Sequence, residues 1–162
     1  MVFACGTVGS DGGLVLLRKE NFMKDIILAK SHLLENNLNF VLVRDNVILA
    51  QSDGRGIKPI YDAYKENKDQ FKAGSVADRG IGKAAAMFLL EGGIKHLYTD
   101  LISDTAYDLL ASHGIQVDYS KKVPMILNRS GDDLCPMEKL SSKSEDLQEL
   151  ILNIEEFFSN IK

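Results

Sequence analysis

The chain has 162 residues, 45% of them apolar and 26% charged, with a formal net charge of −4. That length supports one domain with its own core, the composition excludes a chain disordered throughout, and there is no clustered excess of Lys and Arg to grip a nucleic-acid backbone. Two cysteines, Cys5 and Cys135, make no disulfide framework, no apolar run approaches the ~20 residues of a membrane span, and the N-terminus lacks the basic region of a signal peptide. These features imply a cytoplasmic protein with no nucleic-acid or membrane partner.

In chain order, residues 1–22 are glycine-rich and unlike the rest of the chain, so they read as an N-terminal extension outside the core, with "GLVLLRK" at most a short strand. Residues 23–162 read as a single domain. From Met23 to about Asn36, Ile26, Ile27, Ala29, Leu33 and Leu34 recur at helical spacing and predict a first helix. Phe40–Val43 and Val47–Ala50 are β-rich runs joined by Arg44-Asp45-Asn46, which predicts a tight hairpin because Asp and Asn tolerate left-handed backbone. A short helix carrying Ile57, Ile60, Tyr61 and Tyr64 comes after the hairpin, with Pro59 in its first turn.

Next come a buried strand "AGSVAD", a helix "IGKAAAMFLLE" ended by Gly92-Gly93, and a strand "KHLYTDLI". A helix "SDTAYDLLASHG" capped by Ser103 or Asp104 leads to the strand "IQVDYS", with "VPMILN" as one further strand. The chain closes on the amphipathic helix "SEDLQELILNIEEFFSNI". Strands alternating with helices predict an α/β fold of three layers, α/β/α, with a mixed sheet: parallel crossovers, and the hairpin as an antiparallel edge.

The stretch "SVADRGIGKAAAMFLLEGG" sets two glycines and a lysine before a helix. A Walker A loop needs G-x-x-x-x-G-K-[ST], but Ala77 stands where its first glycine belongs and Ala84 where its hydroxyl belongs. A dinucleotide fingerprint fails at Ala85. What remains is an anion-friendly helix start, with Gly80 and Gly82 permitting close approach and Lys83 adding charge. Arg55, Lys58, Arg79 and Lys83 all fall at loop-to-helix junctions and could meet on one anionic ligand. Cys135 precedes Pro136, which suits the first position of a helix and would place the thiol at an N-cap, where the dipole favours a thiolate; Asp132 and Asp133 oppose that. His32, His96 and His113 are scattered, and there is no H-E-x-x-H, C-x-x-C or G-x-S-x-G.

Taken together, "RGIKPIYDAY", "GSVADRGIGKAAAMFLLEGG", "LISDTAYDLL", "GIQVDY" and "ILNRSGDDLCPMEKL" resemble the uncharacterised proteins of domain-of-unknown-function family 1893, over roughly Lys24 to Leu140. The resemblance implies a fold similar to cytidine deaminase. In the zinc deaminases an H-x-E or C-x-E motif opens one helix and P-C-x-x-C the next. Here those places hold Gly82-Lys83-Ala84 and Ser103-Asp104-Thr105-Ala106-Tyr107, which supply neither ligands nor a general-acid Glu. No metal and no cofactor is therefore expected, nor is zinc-dependent deamination.

The leading expectation is a zinc-free protein that binds a small anionic or nucleotide-like molecule through Asp78, Arg79, Gly82 and Lys83, with Arg55 and Lys58 nearby. One alternative is a transfer enzyme or group carrier with Cys135 as nucleophile and Lys83 as acid-base partner. Another is a non-catalytic scaffold or homo-oligomer using the terminal helix face of Leu150, Ile151, Ile154, Phe157 and Phe158.

Overall fold

The computed structural model describes residues 11–128 and 130–160, with side chains from residue 23 onward. Helix α1 (Asp11–Glu35) leads into the hairpin β1 (Phe40–Arg44) and β2 (Val47–Ser52). Then come α2 (Lys58–Asn67), β3 (Ser75–Ile81), α3 (Lys83–Gly92), β4 (His96–Ser103), α4 (Asp104–Ser112), β5 (Gln116–Val123), α5 (Pro136–Lys143) and α6 (Leu147–Asn160).

The hairpin turns as its sequence demands. Asp45 and Asn46 both have positive φ, 53° and 63°, and their backbone N–H groups donate to the buried carboxylate of Asp25 on α1. One acid thereby fixes the turn to the first helix.

The five strands lie in the order β2-β1-β3-β4-β5. β1 is antiparallel to β2 and β3, while β3, β4 and β5 are parallel. The two parallel crossovers run through α3 and α4, which share one face of the sheet with α2 and α6. The larger core lies on that face, built around Phe40, Phe71, Phe88, Leu97, Ile102 and Leu110. On the other face, among the described residues, α1 packs down through Ile26, Ala29 and Leu33 onto Val41, Val43, Ala77 and Tyr98. The result is the three-layer α/β/α arrangement with a mixed sheet that the alternation of strands and helices predicts.

Two sequence expectations are corrected. Residues 13–19 belong to α1, which begins at Asp11, and not to a strand. Leu, Arg, Lys and Glu are good helix formers, and a helix already nucleated on the core propagates backwards at small cost. Residues 123–128 do not form a further strand; there is only an isolated bridge from Leu127 to Leu134. Pro124 brings no backbone donor and ends the ladder at Val123.

The terminal helix turns its apolar face inward. Leu150, Ile151 and Ile154 are buried in the larger core, and Phe158 stacks edge-on to Tyr61 with ring centroids 5.5 Å apart. The Tyr61 hydroxyl donates to Glu155 at 2.8 Å. Burial and that bond raise the phenol to about 12.

Candidate functional site

At the C-terminal end of β3 the chain opens a cleft of about 680 Å³, the end of a parallel strand where α/β proteins place their ligands. Its shape starts from an irregularity in the sheet. The core-facing residues of the larger cluster are Val76 and Ile81 on β3, Leu97 and Ile102 on β4. Both spacings are odd, whereas a regular strand returns to one face every second residue. The alternation resets at the level of Arg79 and Asp100, a rung absent from the ladder between Asp78–Thr99 and Gly80–Leu101.

Arg79 is consumed by this irregularity. Its guanidinium donates to Asp100 at 3.0 Å, to the Leu38 carbonyl at 2.9 Å and to the Leu33 carbonyl at 3.5 Å. Asp100 also accepts from the Tyr98 hydroxyl at 2.7 Å. Arg79 lines the cleft, but its charge is balanced by its own neighbour.

Asp78 lies beneath the reset, 4% exposed. One carboxyl oxygen, Oδ1, accepts from the Gly80 N–H at 3.0 Å. No side chain bonds to the carboxyl among the described residues; the Arg79 backbone N–H also acts on it, and the Asp78 side chain lines the cleft. Loss of hydration raises its pKa to about 8; the backbone N–H groups of Gly80 and Arg79 and the Arg79 charge pull it down, and Asp100 adds an upward push. Burial thus favours the protonated carboxylic acid, which can donate as well as accept.

Glu138, on the first turn of α5, is the residue that sequence reasoning missed. Its Oε1 accepts from the Lys83 N–H at 3.1 Å and its Oε2 from the Ile126 N–H at 3.0 Å. The anion-friendly start of α3 is thus filled by the chain's own carboxylate. Gly82 permits it, since a Cβ there would lie 2.7 Å from Glu138 Oε1. Glu138 and Lys83 are too far apart in sequence for any local spacing rule to link them; the only hint was an acid following Pro136 in a helix's first turn.

The remaining expected residues divide. Gly82, Arg55 and Cys135 line the cleft together with Asp78 and Arg79; Lys83 and Lys58 do not. Lys58 pairs with Asp62 at 3.0 Å on an exposed helix face, and Lys83 contributes its backbone N–H to Glu138. The four basic residues therefore do not meet at one point. Arg55 is exposed at the rim and makes no hydrogen bond among the described residues. Its loop is held by Asn39, whose side-chain amide donates to the carbonyls of Asp53 at 2.9 Å and Gly54 at 3.0 Å. Cys135 is the half-buried N-cap of α5, with Pro136 at the first position and no side-chain cap bond. Cys5 lies outside the described residues. Ala84, Ala85, Ile57, Ile126 and Met137 supply the apolar walls.

A zinc ion of the deaminase kind does not fit these helix starts. Glu138 occupies the start of α3 with two backbone bonds, and at the start of α4 the Ser103 hydroxyl caps the Ala106 N–H at 3.2 Å. Among the described residues no three His, Cys, Asp or Glu side chains group to hold a metal. The histidines stay dispersed: His32 on Gln51, His96 on Asp118, His113 on the Leu109 carbonyl. No described helix is long and apolar enough to cross a membrane.

The pattern of the domain of unknown function DUF1893 matches residues 28–158. The crystal structure of a DUF1893 family protein from Thermotoga maritima is similar to this chain with a TM-score of 0.74 and 27% identity, covering 82% of this chain and 88% of that one. RibD of Acinetobacter baumannii gives a TM-score of 0.40 at 16% identity, over 82% of this chain and 40% of that one. A diaminohydroxyphosphoribosylaminopyrimidine deaminase/5-amino-6-(5-phosphoribosylamino)uracil reductase of Thermotoga maritima gives 0.40 at 22% identity, over 78% and 42%. No curated protein sequence matches the chain.

Proposed function

The chain belongs to the DUF1893 family, and from that premise we propose that it is a cytoplasmic binding protein for a small nucleotide-like molecule. The observation that carries the reading is Asp78: a carboxyl only 4% exposed whose side chain nonetheless lines a cleft of ligand size. A ligand with a matching polar edge can take over the hydrogen bonds that solvent in the cleft would otherwise make to this carboxyl. The apolar walls suit a planar body, and Arg55, with no ion pair among the described residues, suits an anionic substituent at the rim. The anion goes to Arg55 because Glu138 already holds the start of α3.

Calorimetric titration with the nucleoside 5′-monophosphates tests this. At least one should bind with one-to-one stoichiometry, and Arg55→Ala should weaken it about tenfold, the worth of one charge-assisted contact. If none of them binds, the reading is wrong.

A second reading, a transfer reaction with Cys135 as nucleophile, rests on the place of that thiol in the wall of the same cleft. Lys83, the acid-base partner expected with it, does not line the cleft.

A further inference from the structure

Resting on the nucleotide-like reading, we propose that Asp78 is the residue that selects the ligand. It acts as a hydrogen-bond donor and acceptor at once, so the cleft takes rings that present a carbonyl beside a ring N–H and refuses rings of equal size without that N–H.

The geometry supports this from two sides. Asp78 Oδ1 already accepts from Gly80 at 3.0 Å and keeps a second lone pair, and the side chain lines the cleft with no side-chain hydrogen-bond partner among the described residues. A carboxylic acid with both atoms in reach matches a cyclic amide edge point for point: its O–H donates to the carbonyl and its C=O accepts from the N–H. A carboxylate in the same place would offer two acceptors, match no carbonyl, and stand as an uncompensated buried charge. Burial favours the acid form, with a pKa of about 8. The charged groups that face it are consistent with that state. Arg79 is spent on Asp100, Glu138 is held by two backbone N–H groups, and Asp53, Arg55 and Cys135 line the cleft further out. None of these is a cation paired to Asp78 among the described residues.

The experiment titrates uridine 5′-monophosphate and its N3-methylated form into the wild type, Asp78→Asn and Asp78→Ala between pH 6 and 9. Asn keeps a donor and an acceptor at the same atoms but cannot ionise. The wild type should prefer the unmethylated nucleotide by at least about tenfold, the worth of roughly one hydrogen bond left unmade in a buried site. Asp78→Asn should retain that preference, and Asp78→Ala should lose it. The ratio of wild-type to Asp78→Asn affinity should fall by about tenfold per pH unit once the pH exceeds about 8; ionisation of the nucleotide itself is common to both proteins and cancels. If the wild type does not distinguish the two nucleotides, if Asp78→Ala does, or if the affinity ratio stays flat with pH, the inference is overturned while the cleft remains a nucleotide site. Absence of binding by either nucleotide at every pH overturns the inference, and only the failure of every nucleoside 5′-monophosphate overturns the reading it rests on.

Discussion

Arg79 and Asp100 stand side by side on neighbouring parallel strands, guanidinium nitrogen 3.0 Å from carboxylate oxygen, at a rung absent from the ladder between those strands. The ion pair and the carbonyls of Leu33 and Leu38 take up polar groups that the irregularity would leave unmatched. Arg79→Lys keeps the charge but loses the planar fork that serves three acceptors. It should cost about 1 to 2 kcal/mol in urea unfolding, discounted because the pair is about one-third exposed. A change under about 0.5 kcal/mol would show that the reset holds without it.

Asp78 makes stability depend on pH in a set direction. Its folded-state pKa of about 8 lies above the ordinary 3.8, so between these values the unfolded chain releases a proton that the folded chain keeps. The contribution is fully present below about 3.8 and is lost progressively as the pH rises to about 8. Asp78→Asn has no proton to lose. Its melting temperature relative to wild type should therefore climb from pH 5 to pH 8 and level off above that; a constant difference across the range would contradict an acid form of Asp78.

Glu138 and Gly82 form one unit, because the glycine's missing Cβ makes room for the carboxylate. Glu138→Ala should cost about 1 to 2 kcal/mol, leaving the Lys83 and Ile126 N–H groups without their acceptor. It should also speed hydrogen exchange at those two amides. The added methyl of Gly82→Ala can only act by pushing Glu138 aside, so the double variant should cost less than the two single costs added together. Simple additivity would separate the two residues.

The Cys135 thiol lies on the cleft wall, so a bound nucleotide should shield it. Iodoacetamide labelling, followed by mass spectrometry, should slow saturably as uridine 5′-monophosphate is added, with half-protection at the calorimetric dissociation constant. Labelling at an unchanged rate would place the nucleotide away from this wall.

Much of the frame could be read from the residues because the signals are local. Asp45-Asn46 marked a left-handed turn and has one. Gly93, φ 83°, closes α3 as a glycine after an apolar helix should. Ser103 caps α4 through the Ala106 N–H. Cys135-Pro136 does open a helix.

The cleft was legible only in part. Asp78, Arg79, Gly82, Arg55 and Cys135 were all singled out and all line it, yet the place expected for an anion at the start of α3 is taken by Glu138, a partner set by tertiary folding. The basic residues had suggested convergence, but Lys58 pairs with Asp62 at the local i, i+4 spacing, and Arg79 with Asp100, an acid on the neighbouring strand that the sequence could not assign. The shift in strand alternation left no trace either, since "VADRGI" offers no bulge signal apart from one glycine.

The start of α3 is a run of three alanines, Ala84, Ala85 and Ala86, each at most 5% exposed, and the first two border the cleft. The hollow beside Asp78 is therefore partly a vacancy of side-chain volume, left by residues that end at Cβ. Its capacity can be dialled from this helix without touching a polar atom: Ala85→Val would trim it and Ala85→Leu would fill more of it, a graded steric ruler for the size of whatever molecule lodges there.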